Sequence, residues 1–142
     1  MSAAAIEGGA VCGAASPVRG AVRVTRSGGT APDASPARTE IRIDASEPVF
    51  AGHYPDFPIF PGVCVVECVH KSALATAPAG AALTLVALDS ARFVGAVFPG
   101  DVLGIDLTWT ALDDGWKCAA LASTDRGVAA KVALRYRTGG PA

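Results

Sequence analysis

One segment of this chain has a helical pattern, whereas nearly all other patterned segments alternate like strands. The helical segment begins with Pro61-Gly62, a helix-start signal, and stops at Pro78 and Gly80. The positions that recur at helical spacing are Val63, Val66, Val69, His70, Ala73 and Leu74. The chain has 142 residues, one domain's worth of sequence. A single helix in such a chain has to bury its apolar face against strands, which predicts an α+β fold.

The strand-like segments alternate apolar and polar residues and are separated by turn residues. They cover residues 18–26, 39–45, 82–88, 91–97, 102–112, 116–124 and 128–137. The first two are expected to pair across the loop between them. We predict a single hotdog domain over residues 18–138, in which an antiparallel sheet of about six strands wraps around one long central helix. Periodicity by itself leaves other one-helix α+β layouts open.

Two segments are predicted to lack regular structure. Residues 1–17 are rich in Ala, Gly and Ser and are expected to form a flexible N-terminal segment. Residues 47–61 are expected to follow a rigid, extended path, because prolines interrupt both helix and strand hydrogen bonding. The prolines of this second segment are Pro48, Pro55, Pro58 and Pro61.

Composition excludes several classes of function. Twelve basic and thirteen acidic residues give a formal net charge of -1, which offers no footprint for a nucleic acid backbone. No stretch approaches the roughly 20 apolar residues of a membrane-spanning helix, so a cytoplasmic protein without a membrane segment is expected. Cysteines lacking CxxC spacing are expected to be buried thiols rather than disulfides or metal ligands. They are Cys12, Cys64, Cys68 and Cys118.

The most specific pattern runs from the proline-rich segment into the helix. It reads Gly52-His53-Tyr54-Pro55, then Pro58, then Pro61-Gly62-Val63, with Glu67 fourteen residues after His53. A second block reads Arg92-Phe93, then Pro99-Gly100-Asp101. Over about residues 37–136 the chain resembles the bacterial 3-hydroxyacyl-ACP dehydratases of the FabZ type. The resemblance implies the hotdog fold and removal of water from a 3-hydroxyacyl thioester on acyl carrier protein, in fatty-acid or polyketide-type biosynthesis.

Such an elimination needs a base, an acid and a hydrogen-bond donor, and the motif contains a candidate for each. His53 is the candidate base for the α-proton, because neutral imidazole is abundant at neutral pH. Glu67 is the candidate acid for the β-hydroxyl, since burial in an apolar helix would favour its protonated form. The Gly62 N–H at the helix start is the candidate donor to the thioester oxygen, with the Val63 N–H as a second donor.

The resemblance also implies partners. In the family, the His of one subunit faces the Glu of the other, so a homodimer or a trimer of dimers is expected, with two sites per dimer. The substrate is expected on the phosphopantetheine of acyl carrier protein, with no cofactor and no metal. Arg92, Arg135 and Arg137 are candidates for attracting the acidic carrier protein, although scattered arginines on strands are usually solvated.

Alternatives stay open at this stage. Lys71 stands where the family commonly has Gln, and a cation paired with Glu67 at i,i+4 would oppose its service as an acid. That keeps a catalytically weak partner subunit of a heterodimeric dehydratase as one alternative. A hotdog thioesterase is another, although it would lack the Gly-His-aromatic-Pro segment. Related isomerising dehydratases carry Asp at the Glu67 position, which favours dehydration alone. His70 matches no catalytic position and is expected in the core or an interface.

Overall fold

The structure is a computed structural model that describes residues 18–28, 35–52 and 59–138. Its strands are β1 (Val22–Arg26), β2 (Ala37–Arg42), β3 (Leu83–Phe93), β4 (Val102–Leu112), β5 (Gly115–Thr124) and β6 (Gly127–Thr138). Its helices are α1 (Pro48–Gly52) and α2 (Gly62–Ala75), followed by a 3-10 turn at Pro78–Gly80. The predicted flexible segment 1–17 lies outside these residues, as does Cys12.

The described strands form one antiparallel sheet in the order β1-β2-β4-β5-β6-β3. β1 pairs with β2 as predicted, with Val22 opposite Ile41. Helix α2 contacts β1, β3, β4, β5 and β6, so the sheet curves around it. This arrangement confirms the predicted α+β hotdog fold. Within the described part of the chain, no helix is long and apolar enough to cross a membrane.

Helix α2 packs against the sheet through a face of small residues. The buried residues on it are Cys64, Val65, Cys68, Val69, Ser72 and Ala73. The opposing β4 side chains Leu103, Ile105 and Leu107 are fully buried, and each contributes about 1.5–3 kcal/mol by leaving water. Ser72 and Thr39 satisfy each other within this core through a 2.7 Å hydrogen bond. Three described cysteines are free and buried, as predicted.

The structure corrects the expected core position of Val63. The spacing predicts Val63, Val66 and Val69 on one buried face, but the Val63 side chain is 71% exposed whereas Val69 is fully buried. Val66 is partly buried. The helical turn advances about 100° per residue, so the buried face passes through Cys64 and Cys68, and Val63 falls beside it. Periodicity located the helix correctly and placed its buried face one residue out.

Two predicted strands are one strand in the structure. The expected break between residues 88 and 91 is wrong, because β3 runs unbroken through Asp89 and Ser90. Both polar residues are exposed, and the Asp89 carboxylate forms a 2.9 Å ion pair with Arg135 of β6. Register shifts between Leu85 and Ala87 and between Leu88 and Ser90 absorb the irregularity.

The proline-rich segment also contains regular structure that was not predicted. Helix α1 occupies Pro48–Gly52, inside the stretch expected to have none. Pro48 is the first helical residue, where the missing N–H costs no helical hydrogen bond. Phe50 is buried and its ring lies 5.9 Å from that of Phe60, so tertiary packing stabilises a helix too short to form alone.

Candidate active site

The site is built on the first turns of α2. Pro61 adopts an extended conformation, and its carbonyl accepts the N–H groups of Cys64 at 2.9 Å and Val65 at 3.1 Å. The Gly62 and Val63 N–H groups precede these first helical hydrogen bonds and so have no acceptor within the helix. They lie at the positive end of the helix dipole, where a developing negative charge is stabilised. The predicted donors to a thioester oxygen are therefore in the right local environment.

Phe93, at the end of β3, lies against Gly62. A Cβ placed on Gly62 would come 2.9 Å from the Phe93 Cζ atom, closer than carbon atoms approach. A side chain at position 62 would therefore displace the exposed Phe93 ring, which glycine leaves in place. The Phe93 side chain is 51% exposed, and it lies beside the first residue of α2. The Arg-Phe block of the sequence indicated this residue but assigned it no role.

Glu67 lies between Val63 and His70 on one side of helix α2. The three residues follow one another at i, i+4 and i+7. The Glu67 side chain is half-buried. Its negative charge opposes the effect of burial at His70, whose pKa is lowered first by desolvation and is raised in part by Glu67. A carboxylate and an imidazole are therefore neighbours on one side of α2.

The His70 ring is held by Tyr136 of β6. Its Nδ1 atom lies 2.9 Å from the Tyr136 hydroxyl, and the two rings stack with centroids 5.8 Å apart. Burial raises the pKa of the Tyr136 hydroxyl, so this group stays protonated. The pair satisfies two polar groups that would otherwise be costly to bury. His70 is thus partly buried against β6, and the sequence expectation for it is the core or an interface.

Lys71 is bound by backbone carbonyls. Its ammonium donates to Val18 O at 3.1 Å and to Gly20 O at 2.8 Å. Two of its three N–H donors are therefore used by the segment that precedes β1. The i,i+4 spacing predicts a partner in Glu67, and spacing contains no information on a segment some fifty residues away.

Glu47 is a buried charged residue that the sequence analysis did not single out. It is only 3% exposed, and its two carboxylate oxygens accept the Arg19 and Gly20 N–H groups, each at 2.8 Å. An ordinary acidic residue beside a proline gives no signal of burial in a sequence. Its partners lie in a distant segment, and only the folded chain brings them together.

The predicted base, His53, lies outside the described residues. The structure brings the predicted residues Gly62, Val63 and Glu67 together on the first turns of α2. A separate, open concavity of about 620 Å3 lies on the outer face of the sheet. Its lining includes Arg26, Asp106 and Lys131, and it contains none of the predicted site residues. Among the described residues, no group of His, Cys, Asp or Glu is arranged to hold a metal ion.

This fold and helix end define a hotdog protein with a donor-bearing helix start. The profile of the ApeI-like family, described as ApeI dehydratase, matches residues 30–131. The chain is also 38% identical over 105 residues to a 3-hydroxyacyl-[acyl-carrier-protein] dehydratase FabZ of Cupriavidus metallidurans, covering 68% of this chain and 70% of that protein. The chain therefore belongs to the FabZ and ApeI-like dehydratase family.

Solved structures agree on the fold. The dehydratase heterocomplex ApeI:P from Xenorhabdus doucetiae superposes with a TM-score of 0.60 at 20% identity, covering 75% of this chain and 90% of that one. A hypothetical thioesterase from Streptococcus pneumoniae TIGR4, solved with coenzyme A, gives 0.66 at 12% identity and covers 84% and 87%. A shared fold does not separate these activities, whereas the sequence match does.

Proposed function

We propose that this protein removes water from a 3-hydroxyacyl thioester on acyl carrier protein and releases the trans-2-enoyl thioester. The observation that carries this conclusion is the 38% identity, over 105 residues, with a dehydratase named for that reaction. The N–H groups without a helical acceptor at the start of α2 and the half-buried Glu67 on the same helix support it chemically. The hypothetical thioesterase of the same fold is only 12% identical to this chain, which shows the fold alone.

In the proposed reaction, neutral His53 takes the α-proton and the electron pair moves toward the thioester carbonyl. The Gly62 N–H, assisted by the Val63 N–H, stabilises the negative charge that develops on the thioester oxygen. Glu67 donates a proton to the β-hydroxyl as the C–O bond breaks, so water leaves and the double bond forms. His53 and Glu67 then exchange protons with solvent. Only protons are transferred, so no cofactor or metal is needed.

The edge strand β3 supports assembly into a homodimer. Among the described strands it pairs with β6 alone, and it exposes apolar side chains along its eleven residues. A long apolar edge of this kind favours pairing with a second chain. The exposed residues include Leu85, Val86, Leu88, Phe93 and Val94. Because Phe93 also touches Gly62, a partner on this edge would lie beside the site. We therefore propose that each site combines His53 of one chain with Glu67 of the other.

We further propose that acyl carrier protein is the macromolecular partner and the cytoplasm the location. A carrier-bound thioester has to reach the start of α2, and Phe93 is exposed beside it. Of the arginines predicted to attract the carrier, Arg135 is engaged with Asp89, which favours Arg92 and Arg137 for that contact.

The proposal is tested by mass spectrometry of the purified protein incubated alone with 3-hydroxyacyl carrier proteins of several chain lengths. We expect loss of one water from at least one of them. Because the protein is tested without a partner, turnover would exclude the inactive-subunit alternative. Release of free acid without dehydration would instead establish a thioesterase. A Glu67→Gln variant, similar in shape but unable to donate an acidic proton, is the matched control.

A further inference from the structure

Residues Val18–Gly20, here called the strap, are held by two oppositely charged side chains from different elements. Glu47 accepts the Arg19 and Gly20 N–H groups, each at 2.8 Å. Lys71 donates to the Val18 and Gly20 carbonyls, at 3.1 Å and 2.8 Å. Gly20 is thus bound at both its N–H and its C=O. Three residues without helix or strand hydrogen bonding receive four charge-assisted hydrogen bonds.

Val18 and Gly20 of the strap are closely packed, whereas the Arg19 side chain is exposed. Val18 is 2% exposed, and a Cβ on Gly20 would come 2.9 Å from Ile41 Cγ2 and 3.0 Å from Arg42 O. Uncompensated burial of the Glu47 carboxylate would cost several kcal/mol, which the two backbone N–H groups offset. Such a segment keeps a fixed position only if both charges remain in place.

The two charged residues belong to the two parts of the chain that carry the chemistry. Lys71 is one turn beyond Glu67 on α2, the helix that begins at Gly62. Glu47 directly precedes α1, and His53 follows the end of α1 in the sequence. The strap therefore joins the helix that bears the oxygen donor and the acid to the helix that leads into the base.

We propose that Lys71 and Glu47 are positioning residues for the dehydration, which act through the strap to set the spacing between α1 and α2. The inference rests on the proposed function, in which each chain gives its base to one site and its acid to the other, so a shift of α1 against α2 would misalign both sites of the dimer. Misplacement by about 1 Å can cost on the order of 100-fold in rate. On this account Lys71 neither suppresses Glu67 nor contacts substrate. Its cationic head is needed because it spans two carbonyl groups.

The test compares Lys71→Met, which removes both donors, with Lys71→Arg, which retains a two-pronged donor. Lys117→Met, at an exposed position on β5, is the matched control. For Lys71→Met we expect kcat per folded dimer to fall about 10- to 100-fold with KM within about threefold. Lys71→Arg should recover most of kcat, and Lys117→Met should equal wild type. Hydrogen exchange should accelerate in residues 18–22 and 47–52 and stay unchanged in β4–β6.

A double variant tests whether the two residues act through one element. Glu47→Gln should lower kcat as well, and adding Lys71→Met should reduce it by less than the product of the single effects. An unchanged or increased kcat in Lys71→Met would overturn the proposal, as would fully multiplicative effects. If Lys71→Met does not fold, Lys71→Gln, which keeps one donor, takes its place with the same expectations. A wild-type protein without dehydration would refute the proposed function, whereas unchanged exchange in residues 47–52 would refute the strap in an active or inactive enzyme.

Discussion

The two edges of the sheet differ in length and in chemistry. β1 has five residues, and its arginines pair with neighbouring strands: Arg23 with Glu40 of β2, and Arg26 with Asp106 of β4 at 3.4 Å. β3 has eleven residues, and large apolar side chains such as Leu88, 51% exposed, face away from the protomer's core. A short, charged edge discourages pairing with another chain, whereas a long apolar edge promotes it.

The two edges also differ in the parts of the molecule that lie beside them. The strap that precedes β1 is hydrogen-bonded to Glu47, which precedes α1, and to Lys71 of α2. The β3 edge ends at Phe93, which contacts the start of α2. We therefore expect changes near the β3 edge to affect assembly and turnover, and changes on the β1 edge to affect neither.

The largest effect is expected where neither edge is altered. His53→Ala should lower dehydration about 10²- to 10⁴-fold, the usual contribution of a positioned proton-transfer group. Fold and dimer should persist, since the sequence predicts that His53 contributes chemistry rather than core volume. Steady-state rates together with sedimentation and circular dichroism check this. Turnover within about threefold of wild type would remove His53 from the role of base.

A single charge placed on each edge tests whether the two edges differ in pairing with a second chain. Leu88→Lys would bury an unpaired ammonium in the proposed dimer interface, so we expect the dimer Kd to rise about 100-fold or more. Activity at low protein concentration should fall in parallel. Val24→Lys, at a similarly exposed position on β1, is the control and should change neither. Sedimentation equilibrium decides, and dissociation by Val24→Lys alone would reverse the assignment of the two edges.

Mixed dimers test which catalytic residue each chain contributes to a site. Inactive His53→Ala and Glu67→Gln proteins, once mixed, should regain up to about a quarter to a half of wild-type activity, because a mixed dimer has one intact site. Subunit exchange can be followed with a mass-tagged chain. Confirmed exchange without any recovery would mean that both residues act within one chain.

A smaller effect is expected from His70, which lies between the site and the core. Burial lowers its pKa, with Glu67 partly opposing, so the unfolded chain binds more protons just below about pH 6.5. Stability should therefore decline as the pH falls from about 6.5 toward the lowered pKa of the folded state, by up to about 1.4 kcal/mol per pH unit. Urea unfolding at several pH values should show this slope reduced in His70→Gln. His53→Ala, which removes the chain's other histidine, should retain the slope.

The smallest effect is expected from exposed ion pairs on the two sides of the sheet. Arg135 pairs with Asp89 at 2.9 Å across β6 and β3, and Arg23 pairs with Glu40 across β1 and β2. Exposed pairs contribute little because solvent screens them. Arg135→Ala and Arg23→Ala should leave the unfolding midpoint within experimental error. A clear loss of stability in one of them would show that its edge depends on charge rather than on packing.

Much of the fold could be predicted from local patterns. Alternation located the strands, Pro61-Gly62 located the start of α2, and the motif placed Gly62 and Glu67 on the same helix. Errors arose where tertiary contacts override local preference. The α1 helix depends on Phe50 packing against Phe60, and β3 continues through polar residues because β6 pairs with it.

The sequence by itself determined α2, most of the strands and the dehydratase family, and it predicted the residue types of the chemistry, because these depend on periodicity, helix signals and short motifs. Tertiary structure alone decided which face of α2 is buried, which edge of the sheet is left apolar, and that Lys71 and Glu47 meet at the strap. The physical reason is distance along the chain. A buried charge is defined by partners some thirty to fifty residues away, and only folding brings those partners within hydrogen-bonding distance.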